Sequence, residues 1–194
     1  MKALIRPAVE TDAARILDIY KPYVEDTSIT FEYTVPELDH IKQRIKAVSE
    51  IYPWLVLEVD GKVEGYAYAN KFRDRQAYNW CAESSIYLSA QAVGKGYGFI
   101  LYQCLIDLLK EQGFFEVLAV ITWPNEQSEA FHKKNGFVSC GIIKKAGNKF
   151  EKWHDILIMQ KELRDAEAIV TPVIPLIKLE SAFSTIEGWN LKIF

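Results

Sequence analysis

Between an apolar run at 80–88 and a helical stripe at 98–112 stands Gly94-Lys95-Gly96-Tyr97-Gly98, with glycine at every second position. No other cluster constrains the fold of this chain as much. Glycine ends a strand sharply and frees backbone N–H groups at the start of a helix, so the bend is a ready anion site. The helix carries Leu101, Cys104, Leu105, Leu108 and Leu109 on one stripe, and Gly113 stops it. A strand expected over 115–122 follows, which makes a βαβ crossover around the glycines. Two familiar nucleotide loops fail here. A dinucleotide fingerprint needs glycine where Phe99 stands, and a Walker A loop needs Gly at Ser89 and Ser or Thr at Gly96.

The flanking elements follow from periodicity. A short strand at 3–6 closes at Pro7, and Thr11 is the expected cap of a helix striped by Ala13, Ile16, Leu17, Tyr20 and Val24. Pro22 predicts a kink or an end near Lys21. A second helix is expected over 36–51, with Pro36 in its first turn. Strands at 54–59 and 63–70 meet at Asp60-Gly61, a strong hairpin signal. Asn125 can cap a helix that ends at Asn135-Gly136, with strands at 137–144 and 152–160 after it. The fold class is α/β with a mixed sheet, as a single domain over 1–163. From Arg164 the periodicity fades. The tail, 164–194, is expected to be extended, lying on the surface, or packed on the domain or on a second subunit through Ile174, Leu176, Phe183 and Trp189.

Composition excludes several classes. A net charge of −3 argues against a nucleic-acid binder, which carries a basic stripe. The apolar run at 117–123 is far shorter than the ~20 residues a membrane helix needs. The N-terminus lacks the apolar stretch of a signal peptide. Cys81, Cys104 and Cys140 are odd in number and widely spaced, so neither a disulfide framework nor a metal site is expected, and a reducing cytoplasmic setting is.

The stretch Val93-Gly94-Lys95-Gly96-Tyr97-Gly98 resembles the pyrophosphate loop of the GNAT superfamily of acyl-CoA-dependent N-acyltransferases, with Val93 in place of the usual Gln or Arg. The strand leading to Asn125 and the run Phe131-His-Lys-Lys-Asn-Gly-Phe137 match that superfamily's layout. Tyr52-Pro-Trp-Leu-Val56, Ala77-Tyr-Asn-Trp80, Ala82-Glu-Ser-Ser-Ile-Tyr87, His132, Ala146-Gly-Asn-Lys-Phe150 and Trp153-His-Asp155 narrow the resemblance to the phosphinothricin N-acetyltransferase family. It implies a mostly antiparallel sheet flanked by helices, acetyl-CoA as co-substrate, no metal, and a homodimer. It also implies that Ile86, Tyr87, Leu88, Val93, Gly94, Lys95, Gly96, Tyr97, Gly98, Phe99, Asn125 and Phe131 bind the coenzyme. The acceptor side would be Phe31, Arg73, Arg75, Tyr78 and Thr122.

Acetyl transfer needs a neutral amine, a polarised thioester carbonyl and a discharged thiolate. Glu83, a carboxylate on an otherwise apolar strand, is the expected base, since burial raises its pKa toward neutrality. The resemblance assigns it the same role. His132 stands where many superfamily members carry a tyrosine, and its ordinary pKa near ~6.5 lets it donate a proton or remove one. His154 is a weaker candidate, and Cys81 has no thiolate-stabilising neighbours. Lys71, Arg73 and Arg75 alternate and so share one face of an extended segment, where guanidinium groups suit a carboxylate or phosphinate. The expected acceptor is phosphinothricin or a related analogue such as methionine sulfoximine or sulfone. Another small amine, a peptide N-terminus, or a non-catalytic acyl-CoA sensor are the alternatives.

Overall fold

The computed structural model describes residues 2–165 and 170–193. Tail positions 166–169 and 194 lie outside the described residues. One seven-stranded sheet runs in the order β1-β2-β3-β4-β5-β7-β6, comprising β1 (Ala3–Pro7), β2 (Trp54–Val59), β3 (Lys62–Lys71), β4 (Cys81–Leu88), β5 (Glu116–Trp123), β6 (Val138–Lys149) and β7 (Lys152–Glu162). Every neighbouring pair is antiparallel except β4 and β5, the pair that the crossover helix connects. That helix, α3 (Tyr97–Gln112), buries Leu101, Leu105, Leu108 and Leu109 against one face of the sheet. On the other face, α1 (Ala13–Glu25) and α2 (Leu38–Ser49) close over Trp54, Val56 and Tyr66. A short α4 (Glu126–Lys134) leads from β5 into the last hairpin. The Asp60-Gly61 hairpin forms as expected, both residues having positive φ (48° and 82°).

Four local expectations are corrected. First, of the kink or end expected near Lys21, the end is not there: α1 passes through Pro22 to Glu25. Pro22 and Asp18 are both exposed, so water meets the carbonyl that proline leaves unpaired, while Val24 stays buried beyond it. Second, Thr11 does not cap α1. A 3-10 turn over Glu10–Asp12 comes first, and the Asp12 carboxylate accepts from the Val9 N–H (2.9 Å) and pairs with Arg6 (2.7 Å). Third, α2 begins at Leu38, after an extended Glu37, and not at Pro36. Fourth, β6 runs five residues beyond Lys144 to Lys149. Its turn is Phe150-Glu151, with φ of 53° and 60°, a left-handed pair without the glycine or asparagine that marks such turns.

The described part of the tail lies on its own domain. Buried Gln112 donates through Nε2 to the carbonyls of Ile51 (2.6 Å) and Ile174 (2.7 Å). Residues Ala182–Asn190 form α5, a helix the fading periodicity does not predict. Ile186 enters the core, the Trp189 indole N–H donates to Asp107 (2.9 Å), and Phe183 stays exposed. Asn190 uses both ends of its amide on β1: Oδ1 accepts from the Ile5 N–H (2.5 Å) and Nδ2 donates to the Ile5 carbonyl (2.9 Å). One outer edge of the sheet is thereby covered.

Replacing Asn190 with Ala leaves both Ile5 groups without a partner at a half-buried site. The expected cost is about 1–3 kcal/mol, read as a fall in Tm of roughly 3–8 °C by thermal denaturation.

Candidate active site

The site begins where two strands part. Parallel pairing of β4 with β5 holds only at Cys81–Glu116, Ala82–Val117 and Glu83–Leu118. Beyond that point the strands diverge, and a cleft lined by Ser84, Ser85, Ile86, Tyr87, Ala119, Thr122, Asn125 and His132 fills the gap. It continues into a groove of about 390 Å³ bounded by Ile86, Leu88, Val93, Gly94, Gly96, Gly98, Phe99, Asn125 and Phe131, all expected at the coenzyme site. Lys95 is exposed and Tyr97 packs against the core, so neither bounds the groove. The groove also takes in Lys134, which falls inside the Phe131–Phe137 run but was given no role there, and lies 5.3 Å from the Phe99 ring.

Gly94 and Gly96 both adopt left-handed φ (80° and 82°), and a methyl group on either would meet nothing within 4 Å. The backbone alone is therefore presented to the groove, at the N-terminus of α3, where helical N–H groups lack intrahelical acceptors. A diphosphate fits such a cradle. On β4, the Ser89 N–H bonds to the Glu64 carbonyl (2.8 Å). Antiparallel alternation then turns the N–H groups of Ile86 and Leu88 away from β3, toward the gap. The Tyr23 hydroxyl covers Leu88, donating to its carbonyl (2.6 Å).

Glu83 occupies the last paired position, where the strands part, and is half-buried; its side chain lines neither the cleft nor the groove. Ala82 and Ser84 are buried toward α3, where the Ser84 hydroxyl meets that of Tyr102 (2.7 Å), so Glu83 faces the α1–α2 side with Ser85 and Tyr87. Burial raises its pKa above the ordinary carboxylate range. Cys81 sits at the start of the same strand, and burial, with Glu116 and Glu83 nearby, pushes its thiol up to about 11. Its thiolate is thus scarce near pH 7, which argues against an acyl-cysteine route.

His132 is buried on α4, its ring edge-on to Tyr102, Phe131 and Phe137. Nδ1 lies 2.8 Å from the Ser128 carbonyl, which only accepts, so Nδ1 carries the proton and Nε2 is the bare acceptor. Burial lowers the pKa and keeps the ring neutral. Asn125 caps α4, its Oδ1 accepting from the Ser128 N–H (3.0 Å). The Thr122 hydroxyl donates to the Ser28 carbonyl (2.6 Å) and ties the loop after α1 to β5.

The acceptor-side residues are divided. Phe31 packs on Gly147 and lies 6.1 Å from the His154 ring. Arg73, Arg75 and Tyr78 sit on the loop over 71–80, which leaves β3 one residue after Asn70, the partner of Glu83. Both arginines are exposed, Arg73 resting over the rings of Phe72 and Tyr78, and none of the three lines the cleft or the groove. Lys149, part of the Ala146–Phe150 run but given no role by sequence, is buried among carbonyls of α1 and the loop that carries Phe31. Among the described residues, no three His, Cys, Asp or Glu side chains gather as a metal site.

Residues 5–158 match the family model for the acetyltransferase (GNAT) domain. The phosphinothricin N-acetyltransferase of Streptomyces viridochromogenes is 35% identical over 175 residues, covering 90% of this chain and 95% of its own. The L-methionine sulfoximine/L-methionine sulfone acetyltransferase of Pseudomonas paraeruginosa is 33% identical over 84% of this chain and 96% of its own. A crystal structure of a GNAT superfamily phosphinothricin acetyltransferase from Sinorhizobium meliloti, in complex with acetyl-CoA, superposes with a TM-score of 0.84 at 36% identity, over 93% of this chain and all of that one.

The raised pKa of Glu83 has a sign for stability. The folded state holds the proton more tightly than the unfolded chain, so stability falls as pH rises from the ordinary carboxylate range through the raised value. Glu83→Gln removes that loss. Its Tm is expected to exceed that of wild type at pH 7, with the gain vanishing below about pH 4 in calorimetric scans.

Proposed function

The chain belongs to the GNAT acetyltransferases, and on that premise we propose that it moves the acetyl group of acetyl-CoA to the amine of phosphinothricin or a related small amino-acid analogue, such as methionine sulfoximine or sulfone. The observation that carries the reading is the half-buried Glu83 at the apex of a strand split that opens onto a glycine-lined groove. Acetyl-CoA supplies an activated acyl carbon. Glycines 94 and 96 and the start of α3 hold its diphosphate, and the Ile86 N–H meets the negative charge developing on the acyl oxygen, a contact worth about 10²–10³ in rate.

Glu83 takes the first ammonium proton of the acceptor. The nitrogen attacks directly, with no covalent enzyme species, in line with the protonated Cys81. His132 accepts through its bare Nε2 the proton that the nitrogen sheds after attack, and passes it to the departing sulfur. The proton count then balances: one to Glu83 and solvent, one to the thiol. Arg73 and Arg75, on the exposed loop that leaves the Glu83 end of β3, are the cations nearest in sequence for the acceptor's anionic group, which their loop would have to approach.

The reading extends to assembly and setting. The unpaired edge of β6 exposes Val138 (60%), Ile142 (40%) and Ile143 (49%), which supports a homodimer. Three unbridged cysteines support a cytoplasmic protein. The unit is an N-acetyltransferase domain over 1–163 with 164–194 as an accessory tail.

Thiol release from acetyl-CoA, measured with L-phosphinothricin, methionine sulfone, spermidine and a short peptide, tests the reading. Turnover is expected with the first two, and Glu83→Gln should lower kcat/KM by about 10²–10⁴. Acetyl-CoA binding without turnover of any acceptor overturns it.

A further inference from the structure

Lys149 is almost wholly buried (3% exposed) near the tip of the β6–β7 hairpin, where a charged side chain is rare without partners. Its ammonium donates to three carbonyls: Val24 (2.7 Å), Thr27 (2.8 Å) and Thr30 (2.8 Å). A lysine has three donors, and all are used. The three acceptors span the loop between α1 and α2, from the last turn of α1 to the residue before Phe31. That loop supplies Ile29 to both the cleft and the groove. The hairpin reaches the same loop twice more. The Tyr33 hydroxyl donates to the Asn148 carbonyl (2.5 Å), and the Phe31 ring lies so close to Gly147 that a methyl group there would overlap it.

We propose that Lys149 is a positioning residue for the acceptor side: by fastening three carbonyls of the 24–30 segment to the hairpin, it sets where Phe31 and Ile29 stand relative to the cleft. The inference rests on the acetyltransferase reading above for its kinetic consequence, but the contact itself does not. Point charge is what the site requires, because a lone ammonium converges on three oxygens that face one another across a turn. Misplacing a pocket wall by about 1 Å costs up to ~10² in rate, and Ile29 is the one residue of 24–31 that borders the coenzyme groove, so the effect falls chiefly on acceptor binding and turnover.

Lys149→Met keeps the stem and removes the donors. It is expected to raise the acceptor KM about tenfold or more while the acetyl-CoA Kd, measured by calorimetry, changes less than about twofold. Hydrogen exchange at the amides of Ile29 and Glu32, now bonded to the Thr27 and Thr30 hydroxyls, is expected to quicken, with β2 unchanged. Unchanged KM with unchanged exchange overturns the proposal. So does faster exchange across the whole chain with unchanged KM, which marks a merely structural lysine. Should Lys149→Met not fold, Gly147→Ala decides: its methyl group displaces Phe31 without touching the ammonium, and an unmoved acceptor KM overturns the proposal. If the wild type acetylates none of the acceptors, the functional reading falls, and exchange over 24–33 in Lys149→Met still decides whether the lysine fixes the loop.

Discussion

Two parallel strands that hold hands for only three residue pairs set the terms for everything else in this molecule. Past Glu83 and Leu118 each strand keeps its other neighbour, β3 on one side and β7 on the other, so the sheet stays continuous at its ends while opening in its middle. Backbone groups that a ladder would have consumed face a cleft instead. Such exposure is sustainable because α1 and α3 pack firmly on the two faces and hold the halves in place. The glycine turn at the mouth of the cleft extends the same logic, presenting more backbone N–H groups where side chains would obstruct.

The electrostatics follow from this layout. Glu83 and His132 are each pushed toward neutrality by burial, the carboxylate upward and the imidazole downward. Burial thus favours the uncharged form of each group. Tyrosines 20, 66, 68 and 87 wall the Glu83 face, and burial holds the phenols of Tyr66 and Tyr87 well above their usual range. The Glu83 carboxylate acts on the Tyr68 phenol, as does the Arg44 guanidinium from the α2 side.

Much of this was legible in the sequence because it depends on local backbone chemistry. Glycine at 94, 96 and 98 announces the cradle, Asp60-Gly61 its hairpin, and an isolated glutamate on an apolar strand its exceptional environment. What escaped was tertiary. Lys149 bonds to carbonyls 119 to 125 residues away, and a carbonyl carries no sequence signature. The Phe150-Glu151 turn lacks the residues that favour left-handed φ, and the pairing around it imposes that conformation. Pro22 misleads because its cost depends on which side of α1 faces water. Helix α5 has two prolines upstream and a weak stripe, and its definition comes from Asp107, Glu111 and Ile5.

The Asn190–Ile5 pairing also gives the molecule a clock. Its two partners stand 185 positions apart, so at ordinary translation rates of 5–20 residues per second the first strand waits about 10–40 s for its cover. During that interval the edge of β1 is open to any neighbouring chain in extended form. A chain cut before α5 keeps the residues of all seven strands but leaves the β1 edge bare, a template for pairing with another extended chain. Closure of this edge therefore waits on the arrival of α5.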